Sequence, residues 1–267
     1  MDKTIARGPH TLFYRDEGSG LPVVLLHGFA EDGSIWNKQT EQLKTNYRLL
    51  IPDLLGSGLS SALTEDTSME KMAEDLLLLL DREEIQHCVL IGHSMGGYIS
   101  LAFAEKYPER LKGLGLFHST AYADTEEKRS ARRKSIDFIQ KNGSAAFIRQ
   151  STPNLFAPGT RKDHPELINE MIDRYSNFLP DSLIYYYEAM IRRPERTTVL
   201  EQTKNPVLFV IGNHDQAVPP QQALQQSHLP ALSHIHILNH AGHAGMLEEP
   251  GQSYRILQSY LNFVTQS

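Results

Sequence analysis

The chain of 267 residues contains a single cysteine and no long hydrophobic segment, and each shortage excludes a class of protein. Cys88 has no partner for an internal disulfide, and its place in an apolar run predicts a small buried side chain rather than a reactive thiol. The longest aliphatic run, residues 76–80, is far short of the ~20 residues that span a bilayer. Residues 1–8 lack the apolar core of a secretory signal. We therefore expect a cytoplasmic protein with no membrane partner.

Basic residues are fewer than acidic ones. Lys and Arg number 26 against 32 Asp and Glu, which gives a net charge of −6 and a pI near 6.1. Such a chain lacks the broad positive field with which proteins attract nucleic acid or an anionic membrane. No nucleic-acid partner is therefore expected.

Signals for a cofactor or a metal are also weak. The Gly-Ser-Gly segment at 56–58 lacks the third glycine of a dinucleotide-binding loop. His234, His236 and His240 lie close together in sequence, but no second metal-ligand motif accompanies them. The sequence predicts neither a cofactor nor a metal, and we interpret Asp53 with the nearby glycines as a braced turn.

Short apolar runs recur along the chain with helical stretches between them. The runs are rich in Val, Ile and Leu, as buried strands of a parallel sheet are, and lie at residues 4–6, 11–14, 23–26, 48–51, 87–91, 111–117, 206–211 and 235–238. The first two flank Gly8-Pro9 and predict an antiparallel edge hairpin. Residues 69–80, after the N-cap candidate Ser68, and residues 254–264 have helical spacing. The predicted fold class is α/β, a mostly parallel twisted sheet with helices on both faces.

Residues 121–196 contain no strand-like run of comparable strength. Helices are predicted there at 126–141, 144–150, 165–177 and 181–192. We interpret this segment as an inserted helical cap, with residues 1–120 and 197–267 forming the core. The basic run at 128–134 follows Glu126-Glu127, which predicts a solvated helix face rather than an anion site.

The segment at 92–97, Gly-His-Ser-Met-Gly-Gly, joins the strand at 87–91 to a helix at 98–104. G-x-S-x-G between a strand and a helix is the pattern of a nucleophile elbow. A serine on so sharp a turn takes a strained backbone conformation, and its neighbours must lack bulk so that strand and helix approach closely. Ser94 is therefore the candidate nucleophile.

A serine hydroxyl needs a base within hydrogen-bond reach, and that base needs an anionic partner. Asp215 and His243 follow the last two predicted strands. Because the carboxyl ends of parallel strands meet at one edge of a sheet, both are expected to converge on Ser94. Asp124 is the alternative acid, but Asp215 is favoured because it follows a strong apolar strand directly.

Together these segments resemble the α/β-hydrolase superfamily, in particular its capped serine esterases and lactonases. Five motifs spread over nearly the whole chain carry the resemblance: His27-Gly28-Phe29, Asp53-x-x-Gly56-x-Gly58-x-Ser60, the segment at 92–97, Gly212-x-x-Asp215 and Gly242-His243. The resemblance implies the α/β-hydrolase fold, with Ser94 as nucleophile, His243 as general base and then acid, and Asp215 as the orienting acid. It also implies an oxyanion hole formed by the backbone N–H groups of Phe29 and Met95. The cap matches no family signature.

Three residues are candidates for substrate contacts. Phe29 lies in the oxyanion loop, His118 lies at a strand end facing the cap, and Tyr186 belongs to the aromatic residues of the cap. For His118, a hydrogen-bonded position in the core is an equal alternative. His93, beside Ser94, is expected to pack against the elbow or brace it.

The predicted function is that of a serine hydrolase that cleaves a small or medium carboxylic ester through an acyl-enzyme. Serine at position 94 disfavours epoxide hydrolase and haloalkane dehalogenase chemistry, which the resemblance associates with an aspartate nucleophile. Lactonase, thioesterase, carbon–carbon bond hydrolase and perhydrolase reactions stay open, since the same triad serves each. An alternative of another class is a small-molecule receptor on a hydrolase fold. The expected partner is a small-molecule ester, and the chain is expected to be a monomer or homodimer.

Overall fold

A computed structural model describes residues 1–266 as one eight-stranded sheet with helices on both faces. The strands are β1 (Asp2–Arg7), β2 (His10–Glu17), β3 (Leu21–Leu26), β4 (Tyr47–Pro52), β5 (Cys88–His93), β6 (Leu111–Phe117), β7 (Val207–Gly212) and β8 (Ser233–Leu238). Their order across the sheet is β1-β2-β4-β3-β5-β6-β7-β8. The strands from β3 to β8 pair in parallel, which confirms the predicted fold class.

All eight predicted strands are present, and the structure extends or shifts most of them by a few residues. The predicted edge hairpin is confirmed, because β1 and β2 pair antiparallel from Asp2 opposite Arg15 to Arg7 opposite His10. β2 then pairs antiparallel with β4, so the hairpin extends the parallel sheet at one edge.

Eleven α-helices lie in the described part of the chain: α1 (Asn37–Leu43), α2 (Met69–Arg82), α3 (Met95–Lys106), α4 (Glu126–Ser151), α5 (Pro158–Asp163), α6 (Pro165–Tyr175), α7 (Pro180–Arg192), α8 (Thr197–Gln202), α9 (Pro220–Gln226), α10 (Gly245–Glu248) and α11 (Pro250–Gln266). The predicted N-cap of α2 is confirmed, because the Ser68 hydroxyl accepts the Lys71 N–H at 3.2 Å. Capping satisfies one of the backbone donors that a helix start leaves unpaired. No helix within residues 1–266 is long and apolar enough to cross a membrane.

Alternate side chains of the central strands bury themselves on opposite faces of the sheet. In β3, Val24 and Leu26 join the larger apolar cluster, which includes residues of α2 and α3. Val23 and Leu25 join the second cluster, with residues of α1 and α11 on the other face. Burial on both faces explains why the central strands are continuous apolar runs rather than alternating ones.

The segment between β6 and β7 is helical and contains α4 to α8. The two helices predicted at 126–141 and 144–150 form one element, α4, which is interrupted at Gly143, whose φ is +81°. The other two predicted helices correspond to α6 and α7, whereas α5 and α8 are short helices that the pattern did not indicate. The division of the chain into a core and a separate cap stays a prediction.

Candidate active site

Ser94 lies on a sharp turn between β5 and α3, with φ of 50° and ψ of −114°. A non-glycine residue at positive φ is strained, by about 1–3 kcal/mol. The neighbouring glycines make the turn possible, because a Cβ added to Gly92 would lie 2.2 Å from the backbone carbon of Gly96. A Cβ added to Gly96 would in turn lie 2.7 Å from the carbonyl oxygen of His27. The structure thus forms the predicted strand, turn and helix around Ser94.

Three side chains from separate loops form a continuous hydrogen-bonded chain. His243 Nδ1 lies 2.8 Å from Asp215 Oδ2, and His243 Nε2 lies 2.8 Å from Ser94 Oγ. The carboxylate can only accept, so Nδ1 carries the proton, and Nε2 is left to accept the proton of the serine hydroxyl. Ser94 follows β5, while Asp215 follows β7 and His243 follows β8, which is why the sheet brings them to one edge.

Asp215 is almost completely buried, with 4% of its surface exposed. Burial acts to raise the pKa of its carboxyl, but the charge and hydrogen bond of His243 and the backbone N–H of Val218 outweigh it and hold the pKa below the usual range. The other carboxylate oxygen accepts the N–H groups of Ala217 and Val218 at 2.8 and 2.9 Å. The carboxylate is therefore fixed on both oxygens.

The loop that carries His243 is tied to the helical segment above it. The His243 N–H donates to the carbonyl oxygen of Leu155 at 2.6 Å. Glu248 accepts the N–H of Gly242 on one oxygen and, on the other, the Ala157 N–H at 2.8 Å. These bonds link the backbone of the loop that carries His243 to the helical segment that covers the site.

His93 supports the elbow from below, as the sequence predicts, although its partners were not predictable. Its Nε2 lies 2.9 Å from the His243 carbonyl oxygen, and its Nδ1 lies 2.9 Å from Glu31 Oε2. Both residues are buried, and Gly28 also donates its N–H to Glu31 Oε2, at 2.7 Å. Both nitrogens of His93 therefore face acceptors. Burial acts to lower the pKa of His93, but the Glu31 carboxylate outweighs it and raises the pKa.

The backbone N–H groups of Phe29 and Met95 have no hydrogen-bond partner within residues 1–266. Met95 is the first residue of α3, where helix N–H groups are left unpaired by geometry. Phe29 lies in the loop after β3 and lines the same cavity as Ser94. Their role as oxyanion donors stays a proposal.

Ser94 and His243 open into a cavity of about 220 Å³. Most of its wall is apolar or aromatic, including Phe29, Phe147, Ile148, Leu155, Met171, Tyr187 and Met190. The rings of Phe29 and Tyr187 lie 4.2 Å apart between centroids. A cavity lined in this way suits an apolar part of a small ligand.

Two cationic side chains, Lys128 and Arg132, also line this cavity. Both lie on α4, and the prediction that the basic run is a solvated face is wrong for them. It holds for Arg133, which is exposed and pairs with Glu126 at 2.8 Å. The i,i+4 spacing of the two inward residues was the available signal, but the spacing alone does not tell which face of a helix is covered.

The other predicted contact residues lie outside the cavity wall. Tyr186 is fully buried, and its hydroxyl donates to the Leu55 carbonyl oxygen at 2.6 Å, whereas the next residue, Tyr187, faces the cavity. The prediction named the wrong one of two adjacent tyrosines, because the register of α7 could not be read from its aromatics.

His118 lies beneath the triad rather than in the cavity wall. It is 1% exposed, and its Nδ1 is 3.6 Å from Asp215 Oδ2, beyond hydrogen-bond distance. Neither ring nitrogen has a hydrogen-bond partner in the described chain, so the alternative of a hydrogen-bonded core histidine is not met either. Burial lowers the pKa of His118 well below its usual range, which keeps the ring uncharged beside the triad.

Asp124 makes no hydrogen bond or ion pair with His243 within residues 1–266. Its buried carboxylate pairs with Arg132, Nε to Oδ2 at 2.6 Å, and with Arg193, Nη2 to Oδ1 at 3.0 Å. The favoured acid, Asp215, is the one in contact with the imidazole.

The turn at Asp53 is braced as the sequence predicts. The carboxylate accepts the N–H groups of Gly33 and Leu59 at 2.8 and 2.9 Å. A larger cleft of about 580 Å³ lies beside this turn, and none of the residues lining it belongs to the triad. No group of three or more His, Cys, Asp or Glu side chains within residues 1–266 is arranged to hold a metal ion.

Comparison with known proteins identifies the family to which the chain belongs. A sequence model of the α/β hydrolase fold matches residues 22–134. A thermophilic esterase from Thermogutta terrifontis, solved with malate bound, is 31% identical and covers 99% of both chains with a TM-score of 0.93. The chain belongs to the α/β-hydrolase family.

Two further relatives are named for different reactions. The chain is 30% identical to a putative 2-succinyl-6-hydroxy-2,4-cyclohexadiene-1-carboxylate synthase from Bacillus subtilis, over 93% of this chain and 94% of the relative. It is 27% identical to a putative carbamate hydrolase, RutD, from Pseudomonas syringae, over 90% and 93%. Membership of the family therefore leaves open the bond that is cleaved.

Proposed function

We propose that this α/β-family hydrolase is a serine hydrolase that cleaves a small or medium carboxylic ester through an acyl-enzyme at Ser94. The observation that carries the proposal is the hydrogen-bonded chain from Ser94 Oγ through His243 to Asp215. No packing requirement explains why three such side chains meet at three strand ends.

In the first half of the reaction, Ser94 Oγ attacks the ester carbonyl carbon while His243 Nε2 takes the hydroxyl proton. The imidazolium is stabilised by Asp215, which lies 2.8 Å from Nδ1. The tetrahedral intermediate collapses, His243 gives its proton to the leaving alkoxide oxygen, and the alcohol departs. Water then attacks the acyl carbon while His243 Nε2 takes its proton, and His243 gives that proton to Ser94 Oγ as the carboxylic acid leaves.

The oxyanion of each tetrahedral intermediate is assigned to the N–H groups of Phe29 and Met95. Both are unpaired within residues 1–266, and both belong to residues next to the cavity or the nucleophile. Removal of one such donor costs about 3 kcal/mol of transition-state stabilisation in enzymes where it has been measured.

The size of the cavity supports a small substrate. Its volume of about 220 Å³ is below the range in which most drug-sized ligands are held. Lactones, thioesters and carbamates present a similar carbonyl group to the serine and are alternative substrates. Carbon–carbon bond cleavage and perhydrolysis are alternative reactions of the same triad. A receptor that binds without turnover is less favoured, because it would not need Ser94 poised at 2.8 Å from a base.

The test is hydrolysis of a chain-length series of 4-nitrophenyl esters by the wild-type protein and by Ser94→Ala. Turnover by the wild type that is lost in Ser94→Ala is the expected result, with short acyl chains preferred because the cavity is small. Equal activity of the two proteins would refute the proposal. Absence of turnover together with tight binding of a small apolar ligand would favour the receptor.

A further inference from the structure

The cavity next to Ser94 is not electrically neutral. Lys128 and Arg132 are one helical turn apart on α4, and both side chains line the cavity. Arg132 is held in place by Asp124, to which it donates from Nε at 2.6 Å, and its guanidinium lies 5.6 Å from the ring centre of Tyr187. The two cations thus occupy one wall of an otherwise mainly apolar site.

Two guanidinium groups share one carboxylate in this region. Asp124 pairs with both Arg132 and Arg193. Arg193 is buried and already donates to the carbonyl oxygens of Met190 and Tyr122, at 2.8 and 3.0 Å. Arg132 and Arg193 together carry two positive charges, and Asp124 supplies one negative charge between them. One positive charge at this pair of arginines is therefore unbalanced.

Lys128 has no acidic partner in the described chain. Its Nζ donates to the Ala217 carbonyl oxygen at 2.8 Å, and no carboxylate within residues 1–266 lies at ion-pair distance from it. The same Ala217 donates its N–H to Asp215, so the ammonium lies close to the loop of the triad acid. An ammonium uses at most three donors, and the one bond to Ala217 leaves others for a ligand.

Among the described residues that line the cavity, Glu31 is the one acid, and it is paired elsewhere. Glu31 lines the cavity, but its Oε2 is engaged by the Gly28 N–H and by His93 on the elbow side. The positive field reaches Tyr98, another wall residue. Burial acts to raise the pKa of Tyr98, but Arg193, Lys128 and Arg132 outweigh it and lower the pKa.

We propose that the natural substrate of this site is an ester that carries a carboxylate group, which is bound by the Lys128 ammonium and the Arg132 guanidinium while the ester carbonyl lies at Ser94. The inference rests on the proposed function and specifies its substrate class. A bound carboxylate balances the positive charge of Lys128 and Arg132. Hydrogen bonds between charged groups are strong in a site that is partly shielded from water. The apolar wall then accommodates the carbon chain between carboxylate and ester.

A tether between α4 and the Asp215 loop is the competing role for Lys128. A tether explains the bond from Lys128 to Ala217. It does not explain why Arg132, on the same face of α4, also lines the cavity although Asp124 is its acidic partner and also pairs with Arg193. If Lys128 were only a tether, charged and neutral substrates would be hydrolysed with similar kcat/KM. A comparison of charged with neutral substrates therefore distinguishes the two roles.

The experiment compares matched pairs of esters that differ only in charge. In one pair the charge is on the acyl side, as in the 4-nitrophenyl monoester of glutarate and the corresponding carboxamide. In the other it is on the alcohol side, as in the butanoate ester of 4-hydroxybutanoate and its carboxamide. The expected kcat/KM is about 10- to 100-fold higher for the charged ester in one of the pairs. A ratio near or below unity in both pairs overturns the inference.

Variants assign the preference to the two residues. In Lys128→Gln and Arg132→Gln, the charged-to-neutral ratio of kcat/KM is expected to fall about tenfold. Arg133→Gln is the matched control, because Arg133 is on the same helix but exposed and paired with Glu126. A ratio that stays at the wild-type value in both cavity variants contradicts the assignment.

Binding to Ser94→Ala distinguishes failure of this inference from failure of the proposed function. Calorimetry with the intact esters is expected to show tighter binding of the charged member, without any need for turnover. If the wild type hydrolyses no ester but this preference holds, the proposed function fails and the anion site stands. If esters are hydrolysed but charge affects neither binding nor kcat/KM, the anion site fails alone.

Discussion

Nε2 of His93, the residue before Ser94, lies 2.9 Å from the main-chain carbonyl oxygen of His243, the proposed general base. A carbonyl oxygen only accepts, so Nε2 must donate, and Nδ1 faces the Glu31 carboxylate at 2.9 Å. The imidazole therefore connects the elbow, the base loop and the loop after β3. It thereby links the residue next to Ser94 to the backbone of the loop that carries His243.

Glu31→Gln is expected to destabilise the fold by about 3 kcal/mol, because it removes one partner of a buried ion pair. The loss depends on pH. The pKa of His93 is raised, so its contribution is complete below about pH 6.5 and disappears as the pH rises through the folded-state pKa. The pKa of Glu31 is lowered despite its burial, mainly by His93, so its contribution is present above about pH 4.5 and disappears as the pH falls through the folded-state pKa.

Urea unfolding between about pH 5 and pH 8 measures this effect. The difference between wild type and Glu31→Gln should be largest in the acidic half of that interval and shrink toward its alkaline end. Glu41→Gln, at an exposed position of α1, is the control and should match the wild type throughout. A constant difference at all pH values would mean that the pair is not ionised.

The proximity of Ser94, His243 and Asp215 could be predicted from the sequence because it follows from strand order. Each of the three residues comes soon after a short apolar run, and parallel strands place their carboxyl ends together. The number and order of the strands needed no more than the apolar runs and the breakers between them, although most strand ends differ by a few residues. The α/β class followed from the same runs, whereas the α/β-hydrolase fold was implied by the resemblance that the five motifs carry.

The walls of the cavity could not be predicted in the same way. They depend on which faces of α4 and α7 are covered, and this is set by packing between helices rather than by the sequence of either one. Lys128 and Arg133 are both cations in one run, yet one faces the cavity and the other faces solvent. The contact between Glu31 and His93 could not be predicted, because a single acidic residue in the sequence does not indicate which buried histidine it will pair with.

Asp215→Asn is expected to lower kcat for a 4-nitrophenyl ester by about 10⁴-fold, as the same change does in a serine protease. The amide no longer fixes the productive tautomer of His243 and no longer stabilises the imidazolium. The contacts of Oδ1 with Ala217 and Val218 can persist, so the far-ultraviolet circular dichroism should match the wild type. A drop of less than about tenfold would assign the acid role to another residue.

Gly92→Ala is expected to prevent stable folding or to cost more than about 3 kcal/mol. The added methyl group would lie 2.2 Å from the Gly96 backbone, and neither backbone segment can move without breaking the elbow. Gly159→Ala is the matched control, because nothing lies within 4 Å of its Cβ and the residue is helical. That variant should be unchanged or more stable by up to about 1 kcal/mol in thermal unfolding. Equal stability of the two variants would contradict the close packing at the elbow.

Cys88 is expected to be unreactive in the folded protein. It is completely buried in β5, and burial raises the pKa of its thiol to about 12. Titration with a chromogenic disulfide should detect almost no thiol under native conditions and one per chain in denaturant. Rapid reaction of the native protein would contradict the packing of this strand.

The central claim, that His243 activates Ser94, is tested most directly by labelling with a small alkyl fluorophosphonate followed by intact-mass and peptide analysis. The expected result is one adduct per chain, located on Ser94, with no adduct in Ser94→Ala and a labelling rate reduced by several orders of magnitude in His243→Ala. An unlabelled wild type, or an adduct that persists in Ser94→Ala, would contradict it.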